Sequence, residues 1–238
     1  MNHSVEATTN ITTSAEHRQH GFVLYAITVP SFFLAGLCFQ WYATTGQIAL
    51  LLLGWVTFGM AFDFLSHIMG LHLGRHTHLL RGYARINFAA LCFGIPFTVL
   101  AGSFVIATAV PDGISAQITC HYLPILYSAM IFGTLFLFAR YRQLRLSGTV
   151  EYALDTSHTY TRVIFLLRRI FLVMALVVSI TVMLDGWNSG WQLWSLLFGL
   201  SFIATVPLHI MHKQIASMLS ELITQIILIY GSWMAFVA

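Results

Sequence analysis

Asp63 and His67 stand one helical turn apart inside an apolar run, Gly46 to Gly74, that is long enough to cross a bilayer. An ionisable pair at that depth is costly and marks a functional site by default. The run ends in a cluster of histidines and arginines: His72, Arg75, His76, His78 and Arg81. Further polar groups recur near the ends of other apolar runs, with Arg85 and Asn87 opening one, His209 and His212 closing another, and Glu221 and Gln225 in the first turns of the last. The i, i+4 spacing puts Asp63 and His67 on one helix face, and likewise Glu221 and Gln225. A network of Asp63, His67, Arg85, Asn87, His209, Glu221 and Gln225 is the expected site.

Three chemistries suit these groups. Carboxylate and imidazole together bind zinc or iron, for which Asp63, His67, His72, His76, His209 and His212 are the candidate ligands. Haem held between His67 and His209 or His212 would make an electron-transfer subunit or membrane enzyme. Asp63, His67 and Glu221 could instead relay protons with no cofactor. The bland alternatives are a hydrogen-bonded network that only specifies helix packing, arginines that snorkel to phosphates, and histidines in a solvated loop. No P-loop, nucleophile elbow or Rossmann signature is present.

The elements that must position these groups are membrane helices. Of the 238 residues, 58% are hydrophobic and 8% charged, with mean hydropathy +0.80, where a soluble chain carries about 25% charged residues. Apolar runs cover 21–42, 47–71, 86–110, 117–139, 163–184, 191–212 and 216–237, seven in all, each matched to the bilayer. The fold expected is therefore all-α, a polytopic membrane protein made of a bundle of seven transmembrane helices spanning residues 21–238. Residues 1–20, rich in Ser, Thr, Asn and His, read as a disordered cytoplasmic tail. Pro111-Asp112-Gly113 and Asp185-Gly186-Trp187-Asn188 are turn sequences. Cys38, Cys92 and Cys120 have no metal-finger spacing, and buried free thiols are expected in preference to a bridge between Cys38 and Cys120.

With seven spans, all 11 Lys and Arg fall on one face: Arg18, Arg75, Arg81, Arg85, Arg140, Arg142, Arg145, Arg162, Arg168, Arg169 and Lys213. The positive-inside rule makes that face cytoplasmic, with the amino terminus inside and the carboxyl terminus outside. Trp41, Tyr42, Trp187, Trp191 and Trp194 then form an aromatic belt at the opposite boundary. A multi-pass protein of the plasma (cell inner) membrane is expected. Its partner is the lipid bilayer, not nucleic acid; the sequence leaves protein partners or a homo-oligomer open.

Local stretches resemble the heliorhodopsins, microbial rhodopsin-like proteins that share this inverted topology. Gly82-Tyr83-Ala84-Arg85 resembles that family's Tyr-Ala-Arg-Trp segment at the start of helix 3. Ser128-Ala129-Met130-Ile131-Phe132-Gly133 resembles its helix 4 stretch, and His67 falls near its helix 2 histidine. Leu219-Ser220-Glu221-Leu222-Ile223-Thr224-Gln225 resembles the helix 7 stretch that ends in the retinal-binding lysine, with one insertion allowed. These stretches are a small part of the chain. The lysine position carries Gln225, and the counterion position carries Phe88. The resemblance thus implies a retinal-less relative, in which no retinal Schiff base forms. The polar network of Asp63, His67, His209 and Glu221 points to a sensor-like protein or a pathway for protons or small solutes, with a membrane metalloenzyme or haem-binding electron-transfer subunit as the alternative.

Overall fold

The computed structural model describes residues 3–73, 94, 97–128, 130–131, 145–147, 151–153, 159–187, 189–210 and 214–238. The helices are α1 (His3–Thr45), α2 (Ile48–Leu73), α3 (Phe97–Ala109), α4 (Ile114–Cys120), α5 (Thr159–Trp187), α6 (Gln192–Ile210) and α7 (Gln214–Phe236). A further helical stretch covers 122–128. Among the described residues, Phe22–Thr45, Ile48–Leu65 and Met218–Phe236 are long and apolar enough to cross a membrane. The pair α3 and α4, bent by 120°, makes a fourth if counted as one span. Over their described apolar lengths, Val173–Trp187 and Gln192–Thr205 are shorter. The protein is thus helical and multi-pass in character.

The helix ends follow the local chemistry. Gly46 closes α1 with φ 72°, the left-handed conformation that glycine adopts without strain, and its N–H donates to the Tyr42 carbonyl at 2.8 Å. Only Gly46 and Gln47 separate α1 from α2, so the two helices form a tight hairpin. It is lined by edge-to-face contacts of Phe32 with Phe58 and Phe62, and of Phe39 with Trp55 and Phe58. At Pro111-Asp112-Gly113 the chain turns as its sequence predicts, with the Gly113 N–H on the Val110 carbonyl at 3.0 Å. After α4 the helix is interrupted at His121 and resumes at 122. Pro124 explains the notch: it has no N–H to give the carbonyl four residues back.

Three features depart from expectation. The backbone of residues 3–20 is helical and continuous with the span, where composition predicts a disordered tail. This stretch holds no Gly or Pro, and a helix already nucleated by the apolar span extends at little further cost. A short hairpin, β1 (Arg145–Ser147) paired antiparallel with β2 (Glu151–Ala153), adds strand to the helices of the described residues. Its sequence surrounds Gly148 with residues that tolerate extended backbone, too briefly for an alternation to be read. Trp194, assigned above to the interfacial belt, is instead a core residue, 7% exposed. Its indole N–H donates to the Ile227 carbonyl at 2.7 Å, and its ring stacks on Phe198. Trp187 remains exposed, as a belt residue should be. Cys38 and Cys120 are separate thiols, the first buried and the second exposed.

The core is uneven along the bundle. At the end where α1 closes and α6 begins, a single cluster joins Cys38 of α1, Leu53 of α2, Val105 of α3, Val182 of α5, Phe198 of α6 and Leu228 of α7. Glycine lets the helices close on these rings: a Cβ on Gly102 would sit 2.8 Å from Phe198, and one on Gly231 would overlap the Trp194 indole. Toward the other end the described core residues fall into two smaller clusters. One cluster lies on α1, α2 and α7 around Met60, Phe64 and Met218; another lies on α3, α5 and α6 around Val99, Ala175 and Phe202.

Candidate functional site

Gln225 is the most constrained of the expected site residues. It lies in the middle of α7, only 3% exposed, in a helix whose neighbours are otherwise apolar. An amide buried there must find partners, because each unsatisfied donor or acceptor costs about 1–3 kcal/mol. Thr57 of α2 donates its hydroxyl to Gln225 Oε1 at 3.4 Å, and Gln225 Nε2 donates to Thr98 Oγ1 of α3, also at 3.4 Å. One side chain therefore ties three helices. Both threonines also bond their own helices, Thr57 to the Leu53 carbonyl and Thr98 to the Gly94 carbonyl, each at 2.8 Å.

The tie fixes the register between α2 and α7. Leu53 packs in the cluster with Leu228, Thr57 meets Gln225, and Phe64 shares a cluster with Met218. Rising numbers on α2 thus match falling numbers on α7, so the helices are antiparallel. At about 1.5 Å per residue, Asp63 lies about 9 Å and Glu221 about 6 Å from the tie along the bundle, both toward the Gln214 end of α7. The two carboxylates therefore occupy nearly one depth, and both are half-buried. Glu221 shares the α7 face of Gln225. Asp63 stands on the α2 face of Val56 and Met60, about a third of a turn from Thr57. Among the described members of the expected network, the Gln225 amide thus lies at mid-bundle and the two carboxylates lie nearer the Gln214 end of α7.

A seam of hydroxyls runs between α6 and α7 at the same end. Thr205 Oγ1 and Ser220 Oγ are 2.8 Å apart, Ser220 also reaches the Ser201 carbonyl at 3.5 Å, and Thr224 bonds the Ser220 carbonyl at 2.9 Å. This seam lies between the two smaller core clusters.

The remaining expected residues are less fully placed. His67 and His72 lie on α2 and His209 on α6, but only their backbones are among the described residues. Arg85, Asn87, His76 and His212 lie outside the described residues. Among the described residues no group of three His, Cys, Asp or Glu side chains could hold a metal ion. Of the six metal candidates only the Asp63 side chain is described.

Two features escape the sequence reading. Thr57 and Thr98 are single threonines in apolar runs and carry no spacing signal. At the far end, Asp185 of α5 accepts the Ser115 backbone N–H at 2.7 Å and so caps the start of α4. Gly113 is required beside it, since a Cβ there would lie 2.9 Å from the carboxylate. Comparison with known proteins adds no relative: no family model matches the chain, and no curated protein matches it.

Proposed function

We propose that the chain is a seven-span membrane protein of the plasma (cell inner) membrane, amino terminus cytoplasmic and carboxyl terminus outside. It handles protons or a small polar solute through a two-tier polar network in the cytoplasmic half of its bundle. In this reading it is sensor-like or a pathway, works without retinal, and is a distant relative of the heliorhodopsins. The observation that carries it is the buried Gln225 amide held between Thr57 and Thr98, one turn of α7 from Glu221 and at the inner limit of the carboxylate tier. Gln225 occupies the position that the resemblance gives to the retinal-binding lysine, and an amide forms no Schiff base. The Thr205–Ser220 seam supports a hydrated route from the basic end to that tier.

An infrared titration tests the reading. Protein in lipid nanodiscs, taken between about pH 5 and 8 where histidine-linked sites change charge, should show a carboxylic C=O band that gains intensity as pH falls. Asp63→Asn or Glu221→Gln should remove or displace that band while the protein stays folded. A spectrum with no titrating carboxyl band, or one indifferent to both substitutions, would sink the proposal.

A further inference from the structure

We infer that a furrow between α1 and α7 is a lipid site, which holds one acyl chain of a phospholipid from the leaflet on the side of the α1–α2 turn. The inference uses neither the carboxylates nor the histidines, so it stands or falls apart from the proposed handling of protons or solute.

The furrow follows from how the two helices run. The chain turns back from α1 into α2 at Gly46, and α2 is antiparallel to α7, so α1 and α7 run in the same direction. Along this course α1 packs closely on α2 but only lightly on α7. The space left is lined by Leu34, Leu37 and Trp41 of α1 and by Ile226, Ile229, Tyr230 and Trp233 of α7. The first set is spaced i, i+3, i+7 and the second i, i+3, i+4, i+7, so each is one helix face. From 34 to 41, and from 226 to 233, the rise is about 10 Å. Both stretches lie in the half of their apolar spans, Phe22–Thr45 and Met218–Phe236, nearer the α1–α2 turn. A bilayer core is about 30 Å thick, so the furrow takes up most of the chain region of one leaflet.

Its construction suits a single chain. Ile229 is 5% exposed and belongs to the packed apolar layer, against which Leu34 and Trp41 also lie, so the floor and one wall are held in place. Ile226, Tyr230 and Trp233 are exposed, and the last two rings are 6.2 Å apart. The space is about 270 Å³ and open along one side. Pockets for drug-sized ligands are about 300–1,000 Å³, and a neighbouring helix, about 10–12 Å across with its side chains, is too broad to enter. A polymethylene chain is thin enough, and it supplies the dispersion contacts that a bare furrow forfeits. The furrow is also continuous with the surface that these spans present to lipid, where Val29, Phe33 and Ile223 are exposed. A chain therefore enters sideways without leaving the bilayer.

The head of the lipid is constrained by charge. Trp41 and Trp233 stand at the end of the furrow nearest the α1–α2 turn, and indole N–H groups suit the ester and headgroup level. Residues 21–45 and 214–238 contain no Lys or Arg. Neither helix thus offers a cation to a fatty-acid carboxylate or to an anionic headgroup, and the occupant is a phospholipid without net charge.

Photolabelling tests the site. The full-length chain would be placed in phosphatidylcholine vesicles containing a small fraction of phosphatidylcholine with a diazirine on one acyl chain. Adducts would be mapped by mass spectrometry after irradiation and digestion. Residues 34–41 and 226–233 should carry several-fold more label than 173–184 of α5, where Val173, Val177 and Leu184 are just as exposed. Leu37→Trp fills the furrow and should lower the label at 226–233 several-fold, whereas Val173→Trp should leave it unchanged. Ile226→Trp, read at 34–41, replaces Leu37→Trp if the latter is not monodisperse in detergent. Label spread evenly over the exposed faces means ordinary boundary lipid and overturns the inference, as does label at the furrow that survives its filling. Displacement of the label by equimolar oleate assigns the furrow to a free fatty acid and overturns the phospholipid. A dimer in light scattering that the filling variant dissociates assigns it to a second copy, and overturns the inference as well.

Discussion

At the scale of single residues, the tie between Thr57, Gln225 and Thr98 has an asymmetry that can be measured. The one Thr57 hydroxyl proton faces two acceptors, the Leu53 carbonyl at 2.8 Å and Gln225 Oε1 at 3.4 Å. Replacing the glutamine with leucine leaves both threonines bonded to their own helices, so nothing buried is orphaned. Replacing Thr57 with valine strips the buried amide oxygen of its donor. We expect Thr57→Val to destabilise by about 1–3 kcal/mol and Gln225→Leu by less than about 1 kcal/mol. The double variant should be more stable than Thr57→Val alone. Thermal melts of the four proteins in one detergent give the cycle; equal losses for the two single variants would show that the tie is not made. The sequence makes Gln225 visible because a long polar side chain in an apolar helix demands a partner. It hides the threonines because a hydroxyl satisfied by the carbonyl one turn back is almost indistinguishable from an apolar residue.

At the scale of elements, the capping of α4 by α5 is the contact that local sequence cannot disclose. Asp185 and Ser115 are 70 residues apart, and α4 has no side-chain cap of its own at Gly113. The carboxylate answers a free backbone N–H at the positive end of a helix. Asp185→Ala should cost about 0.5–2 kcal/mol, and Asp185→Asn less, because the amide oxygen still accepts. Gly113→Ala should also destabilise, by pushing the carboxylate away. Once Asp185 is alanine, however, Gly113→Ala should cost markedly less. Additive losses in the melting temperatures would show that the two residues do not meet. The helices themselves were legible: the apolar runs at 47–71, 191–212 and 216–237 correspond to α2, α6 and α7 within a few residues. What escaped were the interruption at His121, which depends on one proline, and the hairpin of β1 and β2, too short to carry a period.

At the scale of the whole molecule, orientation is the expectation on which every depth comparison stands. A reporter active only outside the cytoplasm, fused after Ala238, should give signal, and the same reporter after Arg145 should give none. The reverse pattern would turn the proposed sensor to face outward. The expectation rests on the placement of the 11 basic residues, a signal needing no knowledge of packing. The grouping of the described core residues into one layer near the α1–α2 turn and two smaller clusters beyond it is not legible in the sequence. It depends on which faces of six helices meet, and small residues such as Gly102 and Gly231 decide that through contacts far away in the chain.

The divided core also has a mechanical meaning. Among the described residues, six helices share one apolar layer near the α1–α2 turn, while toward the α6–α7 junction the clusters are smaller and joined by hydroxyl contacts, so α7 is held more firmly at its carboxyl-terminal half. On α7 the fulcrum is near Leu228, and the arm from there back to Gln214 is about 21 Å long. A small tilt at that layer becomes a larger displacement at the Gln214 end of α7. Amide hydrogen exchange should show this difference in stiffness: residues 214–224 of α7 should exchange faster than residues 226–235, and Gln225→Leu should widen the gap. Uniform protection along α7 would mean that the bundle moves as one body. If the gap is found, whatever protonates the carboxylates acts on the arm and not on the fulcrum.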